Sequence, residues 1–188
     1  PTQHRVHDYL NSSDRFNSVS WMRDLTTLPQ LLHAAGYHTG LSGKWHIGRD
    51  YDPQPGFDDW FALAGDYPIH HRAANRFSDN GVLCAPDGYL THQIADRTVA
   101  FLRDRPRDRP FFHFTGFYAT HSPWEDQPDR LVAQYADASF ADIPSAERVF
   151  EGEIRNIEFP AGDEGARRRA KAQYYAAVSA IDEGMGRI

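Results

Sequence analysis

The sequence predicts an α/β fold in which a parallel-rich sheet is flanked by helices. Helical and strand-like segments alternate along the chain, and one strand-like run is apolar and rich in aromatic residues, which is typical of a buried strand. A helical segment lies between two of the predicted strands. Such a strand–helix–strand unit is almost always right-handed, so we expect those two strands to be parallel.

The first predicted helix covers about residues 27–35. Thr27 is a suitable N-cap residue, Gln30 stands three positions later and completes a capping box, and Gly36 is a C-terminal stop. A strand is predicted next, at about 37–43, and a polar loop follows it. In an α/β fold this order of elements places ligands at the carboxyl end of the strand.

A second helix is predicted from about Tyr89 to Arg103, because apolar residues recur there at helical spacing. It lies between the strand that ends at Gly43 and the strand that starts at Pro110. Residues 44–88 contain many glycine, proline and aromatic residues, and we expect them to form a long structured loop.

The remaining part of the chain is predicted to be a loop followed by a helix. Residues 125–163 are mostly loop, with a short helix near 129–135. In the final segment, apolar residues recur every three or four positions, which predicts a helix with one packing face. That predicted face comprises Ala170, Tyr174, Val178, Ile181, Met185 and Ile188.

Composition and charge limit the possible classes of protein. A chain of 188 residues with 40% hydrophobic content can bury a substantial core, and its length predicts one domain. The net charge of −6 argues against a nucleic-acid partner. The sequence has no apolar run long enough to span a bilayer, and it assigns no cellular location. The single cysteine, Cys84, excludes an intrachain disulfide.

A lysine and a histidine follow the first predicted strand, in the run Gly43-Lys44-Trp45-His46. If the backbone is extended there, strand alternation sends Lys44 and His46 to the same side, where a cation and an imidazole could meet a bound oxyanion. By itself, a lysine two positions from a histidine is more often a solvated lysine beside a surface histidine. The functional interpretation therefore depends on the surrounding sequence.

That surrounding sequence resembles the sulfatase family. Residues 27–48 are similar to the second signature region of the family, whose usual form is a helix, Gly-Tyr-x-Thr and then Gly-Lys-Trp-His-x-Gly. The strand that starts at Pro110 and leads to His121 resembles the family's strand that ends in His-x-Pro. The resemblance implies the alkaline phosphatase-like fold, incomplete in this chain. It also implies that residues 1–188 are a partial catalytic domain that lacks the N-terminal nucleophile and metal segment and the C-terminal part.

The resemblance implies a sulfuric ester hydrolase and a role for each matched residue. Lys44 would contact the sulfate group and the leaving oxygen, and His46 would hydrogen-bond the hydroxyl of the family's formylglycine nucleophile. His121 would contact the sulfate or protonate the departing alcohol, a task that suits an imidazole near neutral pH. The expected substrate is a small-molecule or glycan sulfate ester.

The nucleophile and the metal ligands of the family are not identified in this sequence. Formylglycine is made from cysteine or serine in Cys/Ser-x-Pro-x-Arg, which we expect upstream of Pro1. Cys84 does not fit that motif, because Gly88 stands in the arginine position, and we interpret it as an ordinary loop or half-buried cysteine. A divalent cation, normally calcium, is expected in the intact protein with ligands outside this chain, and Asp58 and Asp59 are predicted to form a solvated turn. We therefore expect the isolated chain to be inactive.

Two alternative functions remain open from the sequence. The first is a phosphonate or phosphate monoesterase, because members of the same superfamily share the sheet and the oxyanion chemistry. The second is a non-catalytic module that binds sulfate or glycan. In that module, aromatic side chains such as Trp60, Phe61 and Trp124 would stack on a sugar.

Overall fold

A mixed sheet forms the centre of the computed structural model, which describes residues 18–64, 76–85, 88–143 and 164–188. Within those ranges the sheet has five strands in the order β4-β3-β2-β1-β5. β1 pairs in parallel with both β2 and β5, whereas the β2–β3 and β3–β4 pairs are antiparallel. The strands are β1 (His38–Gly43), β2 (Asp59–Ala64), β3 (Arg76–Asp79), β4 (Val82–Cys84) and β5 (Phe111–Gly116).

The helices lie close to their predicted positions. They are α1 (Leu28–Ala34), α2 (Leu90–Asp104), α3 (Asp129–Ala133) and α4 (Glu164–Arg187). At the start of α1, the Thr27 backbone N–H donates to Gln30 Oε1 at 2.8 Å, which is one half of the predicted capping box. β1 and β5 are parallel neighbours, as the strand–helix–strand argument predicts. No helix in the described ranges is both long enough and apolar enough to cross a membrane.

The prediction of a long loop over residues 44–88 is wrong in part, because β2, β3 and β4 lie within it. β3 and β4 form a hairpin around Asn80 and Gly81, which both have positive φ, at 51° and 89°. Asn-Gly is the strongest short-range signal for such a hairpin, since both central residues of the turn need positive φ. The Asn80 side chain also accepts a hydrogen bond from the Trp60 backbone N–H at 2.9 Å, so the turn is tied to β2.

Asp58 and Asp59 do not form the predicted solvated turn. The Asp58 carboxylate accepts a hydrogen bond from the Thr39 backbone N–H at 2.9 Å and lies 3.1 Å from His33 Nε2. Asp59 begins β2, and its carboxylate lies 3.2 Å from Arg97 Nη2 on α2. The two carboxylates therefore join the start of the sheet to the helices beside it.

The predicted packing face of the last helix is wrong for most of its residues, although Ala170 and Ile181 are half-buried. α4 buries a stripe of small residues, whereas the larger apolar residues Tyr174, Val178 and Met185, and Ile188 just after the helix, are exposed. The reason is steric, because α4 lies close to α2. A Cβ added at Gly184 would come within 3.2 Å of Ala95 Cβ. The buried positions are Ala172, Ala176, Ala177, Ala180 and Gly184.

The two faces of the sheet bury different sets of residues. On one face, β2 and β3 pack against α2 through an apolar cluster. On the other face, Leu41, Trp60 and Ala62 are covered by Trp45 and Phe57 from the segment between β1 and β2. Trp45, which belongs to the Gly-Lys-Trp-His motif, is thus a half-buried residue that packs against the core. The first cluster comprises Phe61, Leu63, Phe77, Leu90, Ile94 and Tyr118.

β1 and β5 end together at a pair of glycines. Gly43 is paired with Gly116, and the Lys44 backbone N–H donates to the Gly116 carbonyl at 2.8 Å. Gly43 has a φ of 111°, and a Cβ there would lie 2.0 Å from the Gly116 oxygen. A Cβ on Gly116 would lie 2.8 Å from the Lys44 carbonyl oxygen. Only glycine at both positions lets the two strand ends come this close.

We expect Gly43→Ala to destabilise the full-length protein by about 2 kcal/mol or more, because the new Cβ meets the rigid Gly116 backbone in a strained conformation. Gly36→Ala is the matched control. Gly36 also has positive φ, but its added Cβ would meet nothing within 4 Å, so only about 1 kcal/mol of backbone strain is expected. The measurement is the urea midpoint followed by tryptophan fluorescence. Equal midpoints for the two variants would contradict the proposed close contact.

His113 on β5 is a neutral histidine within the fold. Its Nε2 lies 3.2 Å from Ser42 Oγ, its Nδ1 lies 3.2 Å from Thr115 Oγ1, and its ring packs against Phe101 with centroids 4.4 Å apart. Burial, assisted by the positive charge of Arg97, lowers the pKa of His113 from 6.5 to about 4. Protonation is therefore easier in the unfolded chain than in the folded protein.

The lowered pKa of His113 determines how the free energy of unfolding changes with pH. The contribution of neutral His113 to the free energy of unfolding is fully present above pH 6.5 and is lost as the pH falls toward 4. The reason is that a proton binds this histidine in the unfolded chain at a higher pH than in the folded protein. We expect His113→Gln to lose less free energy of unfolding between pH 7 and pH 5 than the wild type does, by about 2 kcal/mol. Urea unfolding at the two pH values measures this difference. The same loss in both proteins would show that His113 is not the titrating group.

Candidate active site

The predicted site residues lie at the carboxyl ends of neighbouring parallel strands. Lys44 follows β1 directly, and His121 follows β5 after a short turn. Because β1 and β5 are parallel neighbours, their carboxyl ends meet at the same edge of the sheet. This edge is where α/β proteins commonly bind ligands.

Lys44 is a half-buried cation that faces an aromatic ring. Its Nζ lies 4.8 Å from the centroid of the Tyr118 ring. Among the residues that the structure describes, no carboxylate forms an ion pair with it. Burial lowers the pKa of Lys44, since the charged form loses hydration without gaining a counter-ion. A desolvated cation of this kind costs folding free energy and is suited to an anionic ligand.

His121 contacts the same tyrosine. The rings of Tyr118 and His121 are stacked, with centroids 4.8 Å apart and planes 29° from parallel. The Tyr118 hydroxyl lies 2.9 Å from His121 Nδ1 and donates to the Ser122 carbonyl at 3.1 Å. His121 Nδ1 also contacts that carbonyl. The imidazole is exposed, while the tyrosine that holds it is only 3% exposed.

Tyr118 therefore contacts both Lys44 and His121, and sequence reasoning did not single it out. It belongs to an aromatic-rich run that leads to His121, and such a run is typical of a buried strand. Its spacing of three positions from His121 was an available signal, since a hydroxyl three residues before an imidazole can reach it across a turn. The His121 backbone N–H does donate to the Tyr118 carbonyl at 3.0 Å, which closes that turn.

His46 does not follow the strand geometry on which its prediction depended. β1 ends at Gly43, and His46 has a φ of 58°, which is the left-handed region. The backbone after Gly43 is irregular, so strand alternation does not determine where the His46 side chain points relative to Lys44. His46 is half-buried and close in sequence to Lys44.

Cys84 is half-buried at the end of β4, as predicted in part, but in a strand rather than a loop. β4 is the edge strand on the far side of the sheet from β5. Its thiol contacts the Phe77 carbonyl at 3.6 Å. Burial raises the pKa of the Cys84 thiol, and the Asp79 carboxylate raises it further. Because thiolates are the reactive form, Cys84 is poorly suited to act as a nucleophile.

The described residues do not fit the divalent cation that the fold implies. Within the parts of the chain described by the structure, no cluster of three or more histidine, cysteine, aspartate or glutamate side chains could hold a metal ion. The adjacent carboxylates of Asp58 and Asp59 are engaged by the Thr39 amide and by Arg97. The chemistry available from the described residues is therefore that of a cation and an imidazole at one strand-end edge.

Two curated relatives are informative about the sequence. The chain is 34% identical over 115 residues to an N-acetylglucosamine-6-O-sulfatase of Bacteroides thetaiotaomicron, a match that covers 61% of this chain and 20% of that protein. It is 26% identical over 208 residues to the uncharacterised sulfatase YidJ of Escherichia coli, which covers 96% of this chain and 41% of that protein. The chain thus spans less than half the length of these curated relatives.

Solved structures support the fold. The structure of BT4656 in complex with its substrate D-glucosamine-2-N,6-O-disulfate matches with a TM-score of 0.64 and 21% identity, and the match covers 95% of this chain and 47% of that one. The structure of Ps i-CgsB in complex with k-i-k-neocarrahexaose matches with a TM-score of 0.55 and 20% identity over 85% of this chain and 34% of that one. At this identity the likeness establishes the fold, of which the chain covers a part.

The family is established by the sequence as a whole. The sulfatase family model matches residues 3–188, so the resemblance is not confined to the Lys44 motif. The match also includes the segment that carries Tyr118 and His121. The sheet, the strand-end position of Lys44 and the family match lead to the same conclusion. The chain belongs to the sulfatase family.

Proposed function

We propose that the protein containing this chain hydrolyses a sulfate ester, and that Lys44 and His121 act on the sulfate group. The observation that carries the proposal is the half-buried Lys44 ammonium, which no described carboxylate neutralises. His121 lies at the same edge of the sheet and stacks on the same tyrosine. A fixed cation and an exposed imidazole around one ring are suited to a tetrahedral oxyanion and a proton transfer beside it.

Lys44 would stabilise the negative charge of the ester. A sulfate ester carries charge on its terminal oxygens, and cleavage of the ester bond adds charge to the leaving oxygen. A cation that is already desolvated interacts more strongly with that charge than a hydrated one does, and it needs little reorganisation as the reaction proceeds. The Lys44 backbone is fixed to the Gly116 carbonyl, and its Nζ lies over the Tyr118 ring.

His121 would supply a proton to the leaving alcohol. The imidazole is exposed, so a bound ester can reach it, and its Nδ1 is occupied by Tyr118 and Ser122. Its other nitrogen, Nε2, is then the one available to the substrate. A positioned acid of this kind contributes about 10² to 10⁴ in rate.

The nucleophile is the part of the mechanism that the described residues do not provide. We propose a formylglycine, as in the family, with His46 as the residue that would hydrogen-bond its hydroxyl. A formylglycine hydroxyl would supply the oxygen that attacks sulfur when the group is present. Since Cys84 is placed at the far edge of the sheet, we also propose that residues 1–188 alone do not turn over sulfate esters.

We propose a sulfated sugar as the substrate class. One relative is named for a sulfated N-acetylglucosamine, and one structural neighbour was solved with a sulfated glucosamine. The alternative of a non-catalytic module that stacks aromatic rings on a sugar is weakened. Trp60 is 0% exposed and Phe61 lies in the core, so neither ring offers an open face, while Trp124 is half-buried.

We expect Lys44→Met in the full-length protein to lower the rate of sulfate ester hydrolysis by about 10² to 10³, because one charge-stabilising donor is lost. The melting temperature should stay the same or rise, because the variant no longer buries a charge that lacks a counter-ion. The measurements are turnover of an aryl sulfate and of a glucosamine 6-sulfate, together with a thermal unfolding curve.

Lys171→Met is the matched control for this substitution. The Lys171 Nζ also lies over an aromatic ring, 5.8 Å from the Phe140 centroid, but on α4 and outside the site. This control should keep its activity. Unchanged turnover in Lys44→Met would exclude the proposed role, and faster hydrolysis of matched phosphate esters than of sulfate esters by the wild type would favour the monoesterase alternative.

A further inference from the structure

We propose that Tyr118 is a positioning residue that fixes the tautomer and the ring orientation of His121, so that Nε2 is presented to the leaving oxygen. This inference rests on the proposed function, because it assigns the group that makes His121 effective as an acid. It begins from the contacts of a single nitrogen. His121 Nδ1 contacts the Ser122 carbonyl and lies 2.9 Å from the Tyr118 hydroxyl oxygen.

Those contacts determine which imidazole nitrogen carries the fixed proton. A carbonyl oxygen can only accept a hydrogen bond, so Nδ1 must carry a hydrogen to bond Ser122. The Tyr118 hydroxyl donates its own hydrogen to the same carbonyl at 3.1 Å, which leaves its oxygen lone pairs toward Nδ1–H. The proton on Nδ1 is therefore held by two acceptors. Nε2 becomes the nitrogen that gains and loses the second proton.

The tyrosine is rigid enough to act in this way. Tyr118 is only 3% exposed and belongs to the apolar cluster that joins the sheet to α2. Its ring stacks on the His121 ring, which limits rotation of the imidazole about its own bond to Cβ. The exposed His121 side chain thus takes its orientation from a buried neighbour.

The same ring also sets the position of the cation. The Lys44 Nζ lies 4.8 Å from the Tyr118 centroid, and a cation over a ring face is attracted by the π electrons. This attraction is weaker than an ion pair, so it holds the ammonium without neutralising it. Tyr118 therefore positions both groups that we propose to act on the ester.

This arrangement serves the transfer of a proton from His121 Nε2 to the leaving oxygen of the ester. As the bond between sulfur and the leaving oxygen breaks, its electron pair would go to that oxygen. Sulfur would bond to the oxygen of the attacking hydroxyl, whose proton would pass to the hydrogen-bond partner of that hydroxyl. The imidazolium gives its Nε2 proton to the leaving oxygen and becomes the neutral Nδ1–H tautomer. Because Nδ1–H remains bonded to Ser122 and Tyr118 in both states, the imidazole does not have to turn during the step.

The test is Tyr118→Phe in the full-length protein, which keeps the ring and removes only the hydroxyl. Help from an acid matters most when the leaving group is poor. We expect kcat/KM for an aryl sulfate with a poor leaving group to fall about tenfold, which corresponds to one hydrogen bond, and to fall less than about threefold for an activated nitrophenyl sulfate. KM should change little.

The matched control is Tyr135→Phe. The Tyr135 hydroxyl also makes a hydrogen bond, 2.6 Å from Ser179 Oγ, but it joins the segment after α3 to α4 and lies away from the site. This variant should keep the wild-type rates for both substrates.

A second experiment places Tyr118→Phe in a His121→Gln background. The ratio of kcat/KM for the two aryl sulfates should not change further there, because the tyrosine acts through His121.

The outcomes separate the two proposals. If the wild type is active and Tyr118→Phe lowers kcat/KM equally for the two aryl sulfates, or for neither, the positioning role is wrong. The proposed function is unaffected by that result. An additional leaving-group effect of Tyr118→Phe in the His121→Gln background would also overturn it. A full-length wild type that hydrolyses no sulfate ester would overturn the proposed function, and the positioning role with it.

Discussion

The hydrogen bond from the Lys44 backbone to the Gly116 carbonyl is the contact on which the rest of the site depends. It forms where β1 and β5 end in register, and it requires glycine on both strands, because a Cβ on either would strike the opposite backbone. This junction fixes the start of the segment that carries Lys44 and the start of the segment that leads to Tyr118 and His121. Two segments that are far apart in sequence are thereby held at one edge of the sheet.

The electrostatics of this edge explain why a half-buried lysine is tolerated there. Burial without a counter-ion lowers the pKa of Lys44 and costs folding free energy, and the Tyr118 ring offsets only part of that cost. A carboxylate in place of the ring would stabilise the fold better, but it would compete with an anionic substrate. The arrangement therefore favours binding of an anion over maximal stability, which is common at functional sites.

The sequence predicted the parts of the fold that depend on local signals. The capping residues of α1, the helical spacing of α2 and the parallel pairing of β1 with β5 follow from patterns within short windows or from a general rule of handedness. The Asn80-Gly81 hairpin was predictable in the same way but was overlooked inside an apparent loop. The packing face of α4 was not predictable, because the closeness of α2 selects alanine and glycine over larger apolar residues.

The site was predictable only where a motif marked it. Lys44 and His121 are matched by family motifs, whereas the contact of Tyr118 with His121 appears only when the turn after β5 brings its hydroxyl to the imidazole. The most direct test of the account is a crystal structure of the full-length protein with inorganic sulfate. We expect Lys44 Nζ and His121 Nε2 to lie within about 3.2 Å of oxygens of the same anion. A sulfate that contacts only one of the two groups, or neither, would contradict the account.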